Sequence, residues 1–168
     1  MKKTLFAAAA AVALSLVAAP AFAQDAKETV VYGSIGYANI GDDFVDLGGA
    51  QVRLGAKVHQ YFGIEAEGTI GLVDDSIAGI DIDLEHQIGI YGVVFLPMAE
   101  STDLIARVGV SNFEIGVPGG SADEDTINYG IGIEHRFDEK NGVRADYTYM
   151  DGDAGDADMW SIAYVRRF

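Results

Sequence analysis

Residues 126–137 read Thr-Ile-Asn-Tyr-Gly-Ile-Gly-Ile-Glu-His-Arg-Phe, and this stretch indicates how the chain folds. Every odd position from Ile127 to Ile133 is apolar, whereas the even positions carry an amide, two glycines and then Glu134. Side chains on a β-strand point alternately to two faces, so a period of two predicts a strand. The segment is therefore interpreted as a strand with one apolar and one polar face.

The same alternation recurs along the rest of the chain. Eight segments of 8 to 12 residues follow it: 30–38, 49–58, 62–72, 84–95, 103–113, 126–137, 143–150 and 159–168. A tilted strand needs about 9–11 residues to cross the hydrocarbon core of a bilayer. Because nearly all the backbone would be paired, the sequence predicts an all-β fold, an eight-stranded up-and-down antiparallel β-barrel.

The two faces of these segments differ sharply in polarity. On the apolar face only His86, Asn112, His135 and Arg166 are polar, and no position carries a carboxylate. The opposite face carries the charges that we expect to pair inside the lumen: Arg53, Lys57, Glu65, Glu67, Glu85, Arg107, Glu134, Arg136, Arg144 and Asp146. Pairing is expected because an isolated charge in a narrow lumen costs several kcal/mol.

The polarity of the faces decides between two kinds of barrel. A soluble periplasmic barrel that binds an apolar ligand would have its apolar face inside, and this alternative remains open. An eight-stranded lumen is only just wide enough to be filled by side chains, so it is too narrow for this many large apolar ones. The pattern therefore favours an apolar face in lipid and charges inside, which is typical of a transmembrane β-barrel.

The N-terminal residues have the organisation of a secretory signal peptide. Lys2 and Lys3 precede an Ala-rich apolar run over 5–17, and Ala21-Phe22-Ala23 fits an A-x-A cleavage site. The run is too short to favour a single transmembrane anchor instead. We expect residues 1–23 to be cleaved and residues 24–168 to form a barrel domain in the outer membrane of a Gram-negative bacterium.

The connections between segments alternate in length and charge. Short turns are predicted at 59–61, 96–102 and 138–142, on the periplasmic side. The other four connections are expected to be acidic extracellular loops, without Lys or Arg, that carry Asp42, Asp43, Asp46, Asp74, Asp75, Asp81, Asp83, Glu114, Asp123, Glu124, Asp125, Asp151, Asp153, Asp156 and Asp158. These carboxylates either bridge diffusely through Ca²⁺ or Mg²⁺ to lipopolysaccharide phosphates or serve only to keep the loops solvated.

Composition and motifs exclude several function classes. The 26 acidic residues outnumber the 11 basic ones and give a net charge of −15, which argues against nucleic acid as a partner. The chain has no cysteine, and its three histidines are scattered and lack an HExxH pattern. The Asp151–Asp158 stretch fails the EF-hand spacing. We expect neither enzymatic activity nor a cofactor nor a dedicated metal site.

Aromatic residues gather at the ends of the segments. We predict one interfacial girdle on each side of the membrane, formed towards the loops by Tyr37, Tyr129, Tyr149 and Trp160 and towards the turns by Phe62, Phe137 and Phe168.

Several stretches then carry a family resemblance over residues 24–168. They are Val31-Tyr-Gly-Ser-Ile-Gly-Tyr37, Val52-Arg-Leu-Gly55, Tyr61-Phe-Gly-Ile-Glu65, Gly130-Ile-Gly-Ile-Glu-His-Arg-Phe137, Arg144-Ala-Asp-Tyr147 and Ser161-Ile-Ala-Tyr-Val-Arg-Arg-Phe168. In these the chain resembles the small outer-membrane β-barrels of the porin-like, opacity-protein or OmpX-like group. The resemblance implies that Phe168 is an assembly signal for the outer-membrane assembly machinery, although Arg166 departs from the usual aromatic or aliphatic residue. It also implies a monomer in contact with lipid and lipopolysaccharide.

Two function classes remain from the sequence. In the first, the barrel has a structural or surface role, its lumen is plugged by side chains, and its loops meet the exterior. In the second, the barrel is a narrow porin-like channel for small solutes or ions. Glycines on the inward face, such as Gly109 and Gly130, are the only sign of a gap. The sequence therefore favours the plugged barrel.

Overall fold

The computed structural model describes residues 29–41, 46–73, 75–77, 80–117, 120–153 and 155–168. The strands are β1 (Val30–Gly41), β2 (Asp46–His59), β3 (Phe62–Val73), β4 (Asp75–Ile77), β5 (Ile80–Ala99), β6 (Thr102–Val117), β7 (Gly120–Arg136), β8 (Asn141–Gly152) and β9 (Asp156–Arg167). The described residues contain no helix long and apolar enough to cross a membrane. The predicted signal peptide at 1–23 lies outside them and stays a prediction.

Eight of these strands close into a barrel. Each long strand pairs antiparallel with the next one around the ring, β3 pairs directly with β5, and β1 pairs with β9 to complete the closure. The short strand β4 pairs only with the start of β5, where Ile77 lies opposite Ile80. The prediction of an all-β, eight-stranded, up-and-down antiparallel transmembrane barrel is confirmed, with β4 as an added hairpin arm.

The apolar face of the sheet lies on the outside of the barrel. Ile131 and Trp160 are each 62% exposed, and most other large apolar side chains of that face are exposed or half-buried. The inward positions instead include buried arginines, carboxylates, amides and hydroxyls, together with apolar side chains nearer the two ends. The alternative of a soluble barrel with an apolar interior is therefore wrong, because the middle of the lumen is occupied by buried charged side chains while the large apolar side chains of the other face are exposed.

The strands at the loop end run further than the alternation predicts. β5 has 20 residues, β6 has 16 and β7 has 17. Glu114 and Asp123, expected in a loop, pair with each other across β6 and β7, and Glu124 and Asp125 also lie on β7. The prediction that these four carboxylates lie in a loop is wrong, because a hairpin that leaves the bilayer can keep its backbone paired without an apolar face. Asp42, Asp43 and Asp74 lie outside the described residues.

The turn end of the barrel is built from short reversals. The turns at 60–61 and 137–140 agree with the prediction, whereas β5 continues to Ala99 and shortens the second turn to 100–101. In the last turn the Asp138 carboxylate accepts hydrogen bonds from the backbone N–H groups of Lys140 and Asn141, both at 2.8 Å. The Asn141 side-chain amide, which also donates to this carboxylate, lowers the pKa of Asp138, and the two backbone donors lower it further.

Candidate functional site: the lumen of the barrel

The middle of the lumen holds six charged side chains, which we call the central network: Arg53, Glu65, Glu67, Arg107, Arg144 and Asp146. Arg53 donates to Glu67 at 2.6 Å and to Asp146 at 2.7 Å. Arg107 donates to the same oxygen of Glu67 at 2.7 Å. Arg144 pairs with Asp146 at 2.8 Å and also with Glu65. Strands from all sides of the barrel are thereby linked through its centre.

The central network is buried and electrically balanced. Its three arginines and three carboxylates are each at most 3% exposed. Charges this deep are stable only when they are paired and hydrogen-bonded, and removing one member of a buried pair costs about 3–5 kcal/mol. Removal of any one member is therefore expected to leave a buried charge without compensation.

Two tyrosines complete the hydrogen bonding of the central network. Tyr32 donates its hydroxyl proton to Glu65 at 2.6 Å, and Tyr91 donates to Glu67 at 3.1 Å. The Arg107 guanidinium lies over the Tyr91 ring, 3.5 Å from its centroid, in a cation–π contact. Sequence reasoning missed both tyrosines, although the period of two places each of them on the inward face.

Inward glycines make room for these large side chains. A Cβ on Gly55 would come within 2.3 Å of the Tyr32 ring, and one on Gly109 within 2.6 Å of the Tyr91 ring. A Cβ on Gly130 would lie 2.6 Å from the Arg107 side chain. The interpretation of these glycines as a gap in the lumen is therefore wrong, because the space beside them is filled by side chains from other positions.

Alanine at Gly109 is expected to destabilise the barrel. Its Cβ would meet the backbone oxygen of Ile90 at 2.2 Å and the Tyr91 ring at 2.6 Å, so overpacking should cost about 1–3 kcal/mol. Alanine at Gly92 is the matched control, because its nearest contact is the Val108 oxygen at 3.9 Å. Urea unfolding of both variants in lipid vesicles measures the difference. Equal unfolding midpoints would contradict this account of the inward glycines.

Apolar layers lie on both sides of the central network. The turn-side layer consists of Tyr32, Tyr91, Val93, Phe95, Ile105 and Val165. The loop-side layer consists of Ala38, Ile40, Leu47, Leu84, Met150 and Met159. Along β6 the inward residues run from Asp103 at the turn end through Ile105 to Arg107. The lumen is thus lined in layers, with apolar side chains between its charged levels.

A second group of charges lies at the turn end, and we call it the turn-end cluster: Lys57, Asp103, Glu134, Arg136 and Arg167. Asp103 lies 2.7 Å from Arg136, 3.6 Å from Lys57 and 3.9 Å from Arg167. Arg167 also pairs with Glu134. The cluster borders an open cavity of about 440 Å³. The predicted charges Lys57, Glu134 and Arg136 therefore lie here rather than in the central network, beside Asp103, which the prediction missed.

The prediction that Glu85 faces the lumen is wrong. Inward residues of β5 include Gln87 and Tyr91, and a strict period of two would add Glu85. The ladder between β5 and β6 shifts register between Leu84 and His86, so Glu85 is an extra residue of a β-bulge. Leu84 is buried in its place, and Glu85 is exposed.

The aromatic residues predicted as girdles all lie on the outer surface. Those towards the loops are between 37% and 62% exposed, and those towards the turns between 53% and 76%. The set comprises Tyr37, Tyr129, Tyr149, Trp160, Phe62, Phe137 and Phe168. The Tyr147 and Trp160 rings are in contact with centroids 4.6 Å apart and planes inclined by 49°. Exposed aromatic rings at both ends of an apolar belt fit the two membrane interfaces.

Closed strands, an apolar outer surface and a charged interior define the class of transmembrane β-barrels. Within that class, the chain belongs to the family of the outer membrane protein beta-barrel domain, whose model matches residues 9–168. This membership indicates the outer membrane as its location. No curated protein is significantly similar to the chain in sequence.

Solved structures with the same fold come from outer-membrane barrels. Ail, the attachment invasion locus protein of Yersinia pestis, in complex with the heparin analogue sucrose octasulfate, is 18% identical with a TM-score of 0.63, over 84% of this chain and 100% of that chain. OprG from Pseudomonas aeruginosa is 12% identical with a TM-score of 0.63, over 85% and 97%. The N-terminal barrel domain of Pseudomonas aeruginosa OprF is 12% identical with a TM-score of 0.61, over 86% and 100%. At these identities the likeness shows the fold alone.

Proposed function

We propose that this protein is an integral outer-membrane barrel with a structural or surface role, whose lumen is closed by its own side chains. The observation that carries the proposal is the central network, because buried arginines and carboxylates from opposite walls meet across the lumen. Arg53 on β2 reaches Glu67 on the adjacent strand β3 and Asp146 on β8, which is not adjacent to β2 in the sheet. The apolar layers above and below add two further barriers to ions.

The lumen offers no arrangement typical of catalysis. In the described residues the carboxylates of the central network are committed to arginines, so none of them is free to act as a general acid or base. The inward hydroxyl of Ser161 is bonded to Arg53 rather than to a histidine. The protein is accordingly proposed to have no enzymatic activity and no cofactor.

A narrow channel is the second candidate function. Five buried polar atoms in the described residues have no hydrogen-bond partner in the protein: Gln51 Oε1, Arg107 Nε, Arg107 Nη1, Asn128 Oδ1 and Thr148 Oγ1. Buried polar groups of this kind are usually satisfied by water. A continuous file of such waters would conduct, whereas isolated waters between apolar layers would not.

Conductance in planar lipid bilayers separates the two candidate functions. We expect the refolded barrel to insert without stepwise currents, because the central network and two apolar layers block the path. A general porin reconstituted in the same membranes shows that pores are detectable. Reproducible single-channel steps from the wild-type protein would contradict a closed lumen and favour the channel.

The remaining parts of the chain fit an exported surface barrel. We infer that residues 1–23 direct export and that Phe168 is read by the assembly machinery. Its backbone N–H donates to Val31 at 2.9 Å, so the last residue is tied to the first strand. Ring closure leaves no free edge among the long strands, which supports a monomer. Lipid and lipopolysaccharide are the proposed surroundings of the apolar belt and the acidic loop end.

A further inference from the structure

The β-bulge in β5 brings two neighbouring residues to the outer surface together. Leu84 pairs with Ile115 and His86 pairs with Glu114, so Glu85 has no partner in the ladder. On a regular strand Glu85 and His86 would point to opposite faces. The extra residue of the bulge instead leaves both side chains accessible at the surface.

Three side chains converge at this point. A carboxylate oxygen of Glu85, a ring nitrogen of His86 and a carboxylate oxygen of Glu114 all lie within 4.8 Å of one another. The His86 Nδ1 atom is 3.7 Å from Glu114 Oε2. The other carboxylate oxygen of Glu114 accepts a hydrogen bond from the Ser121 hydroxyl at 2.5 Å, which restrains its orientation. Supporting hydrogen bonds of this kind commonly orient metal ligands.

The local charge also favours a cation. Within the described chain neither Glu85 nor Glu114 forms an ion pair with lysine or arginine. Further carboxylates stand close by, since Asp123 lies directly opposite Glu114 on β7. Ile88, the next outward residue of β5 towards the turns, is 50% exposed, so the three side chains lie just beyond the apolar belt. A divalent ion can reach this position from water.

We propose that Glu85, His86 and Glu114 form a binding site for a divalent transition-metal ion, with Zn²⁺ as the best fit. One imidazole and two carboxylates suit Zn²⁺, and three protein ligands leave one tetrahedral position to water. Ca²⁺ and Mg²⁺ bind oxygen ligands, so the histidine distinguishes this site from general attraction to the acidic loop end. The site was not predicted from the sequence, because the bulge that assembles it leaves no mark in the alternation.

Isothermal titration of Zn²⁺ into the refolded full barrel in detergent tests the proposal. We expect one Zn²⁺ per barrel, bound at least about tenfold more tightly than Ca²⁺. His86→Gln and Glu114→Gln should each weaken Zn²⁺ binding by roughly tenfold or more, as the loss of a ligand requires. X-ray absorption of the zinc complex should detect one nitrogen ligand from imidazole among oxygen ligands.

Matched controls separate a site from diffuse attraction. Asp151→Asn removes one carboxylate from the same acidic end but away from the site, and it should leave Zn²⁺ affinity unchanged. His86→Gln should leave Ca²⁺ binding unchanged. The side chains of His86, Glu114 and Asp151 are all at least partly exposed, so their replacement should not disturb the fold. Heat-modifiable electrophoretic mobility verifies that each variant folds. Equal Zn²⁺ affinity of wild type and His86→Gln, or equal affinity for Zn²⁺ and Ca²⁺, would overturn the proposal.

Discussion

Replacement of Glu67 by glutamine is expected to destabilise the barrel by about 3–5 kcal/mol. Its carboxylate accepts from Arg53 at 2.6 Å and from Arg107 at 2.7 Å, and Tyr91 donates to its other oxygen at 3.1 Å. Glutamine keeps the shape but leaves two buried guanidinium groups with one negative charge fewer. Urea unfolding in lipid vesicles should show the loss as a lower midpoint.

Two further variants show whether the loss arises from the network. Glu139→Gln removes a carboxylate from an exposed turn. Its free energy of unfolding should stay within about 0.5 kcal/mol of that of the wild type. Arg107→Met combined with Glu67→Gln should be less destabilising than the sum of the two single changes, because the uncompensated charge is removed with its partner. Additive effects of the pair, or a Glu67→Gln midpoint equal to that of Glu139→Gln, would contradict the central network.

Replacement of Ile131 by arginine is expected to prevent most of the protein molecules from folding into a bilayer. Ile131 is 62% exposed on the outer face of β7, between Tyr129 towards the loops and Phe137 towards the turns. A cation at this depth costs about 2–4 kcal/mol on the lipid face of a barrel. The folded fraction, measured by heat-modifiable mobility after refolding into vesicles, should fall accordingly.

The control for Ile131→Arg places the same side chain outside the apolar belt. Asp151→Arg changes the charge by more but lies at the exposed end of β8, so it should fold as efficiently as wild type. Ile131→Leu keeps the apolar surface and should also fold normally. Efficient assembly of Ile131→Arg would show that this face does not meet lipid.

The alternation of side chains was enough to predict the barrel and the orientation of its faces. A period of two fixes which positions share a face, and the contrast between Ile131 and Arg144 shows which face meets lipid. The same rule places Tyr32, Tyr91 and Asp103 inside, so these residues could have been found. Periodicity alone does not single them out, because tyrosine and a strand-end carboxylate are common on either face of a strand.

Other features could not be predicted from the alternation of side chains, because they depend on how strands pair with one another. The bulge at Glu85 is an irregularity of pairing between strands, which a single segment does not encode. The partners of Gly55 and Gly109 come from neighbouring strands, so packing beside a glycine depends on register. The extension of β5, β6 and β7 past the apolar belt follows from backbone pairing, which needs no particular side chains.

The pairing of β1 with β9 has a kinetic consequence. Tyr32 lies opposite Arg167, so the two ends of the described chain are held side by side without a hairpin to connect them. Contacts so distant in sequence form slowly, since chain entropy is lost before the new contacts compensate for it. Until β9 docks, β1 and β8 present unpaired backbone to other chains. The period between synthesis and ring closure is thus when this protein is most exposed to aggregation.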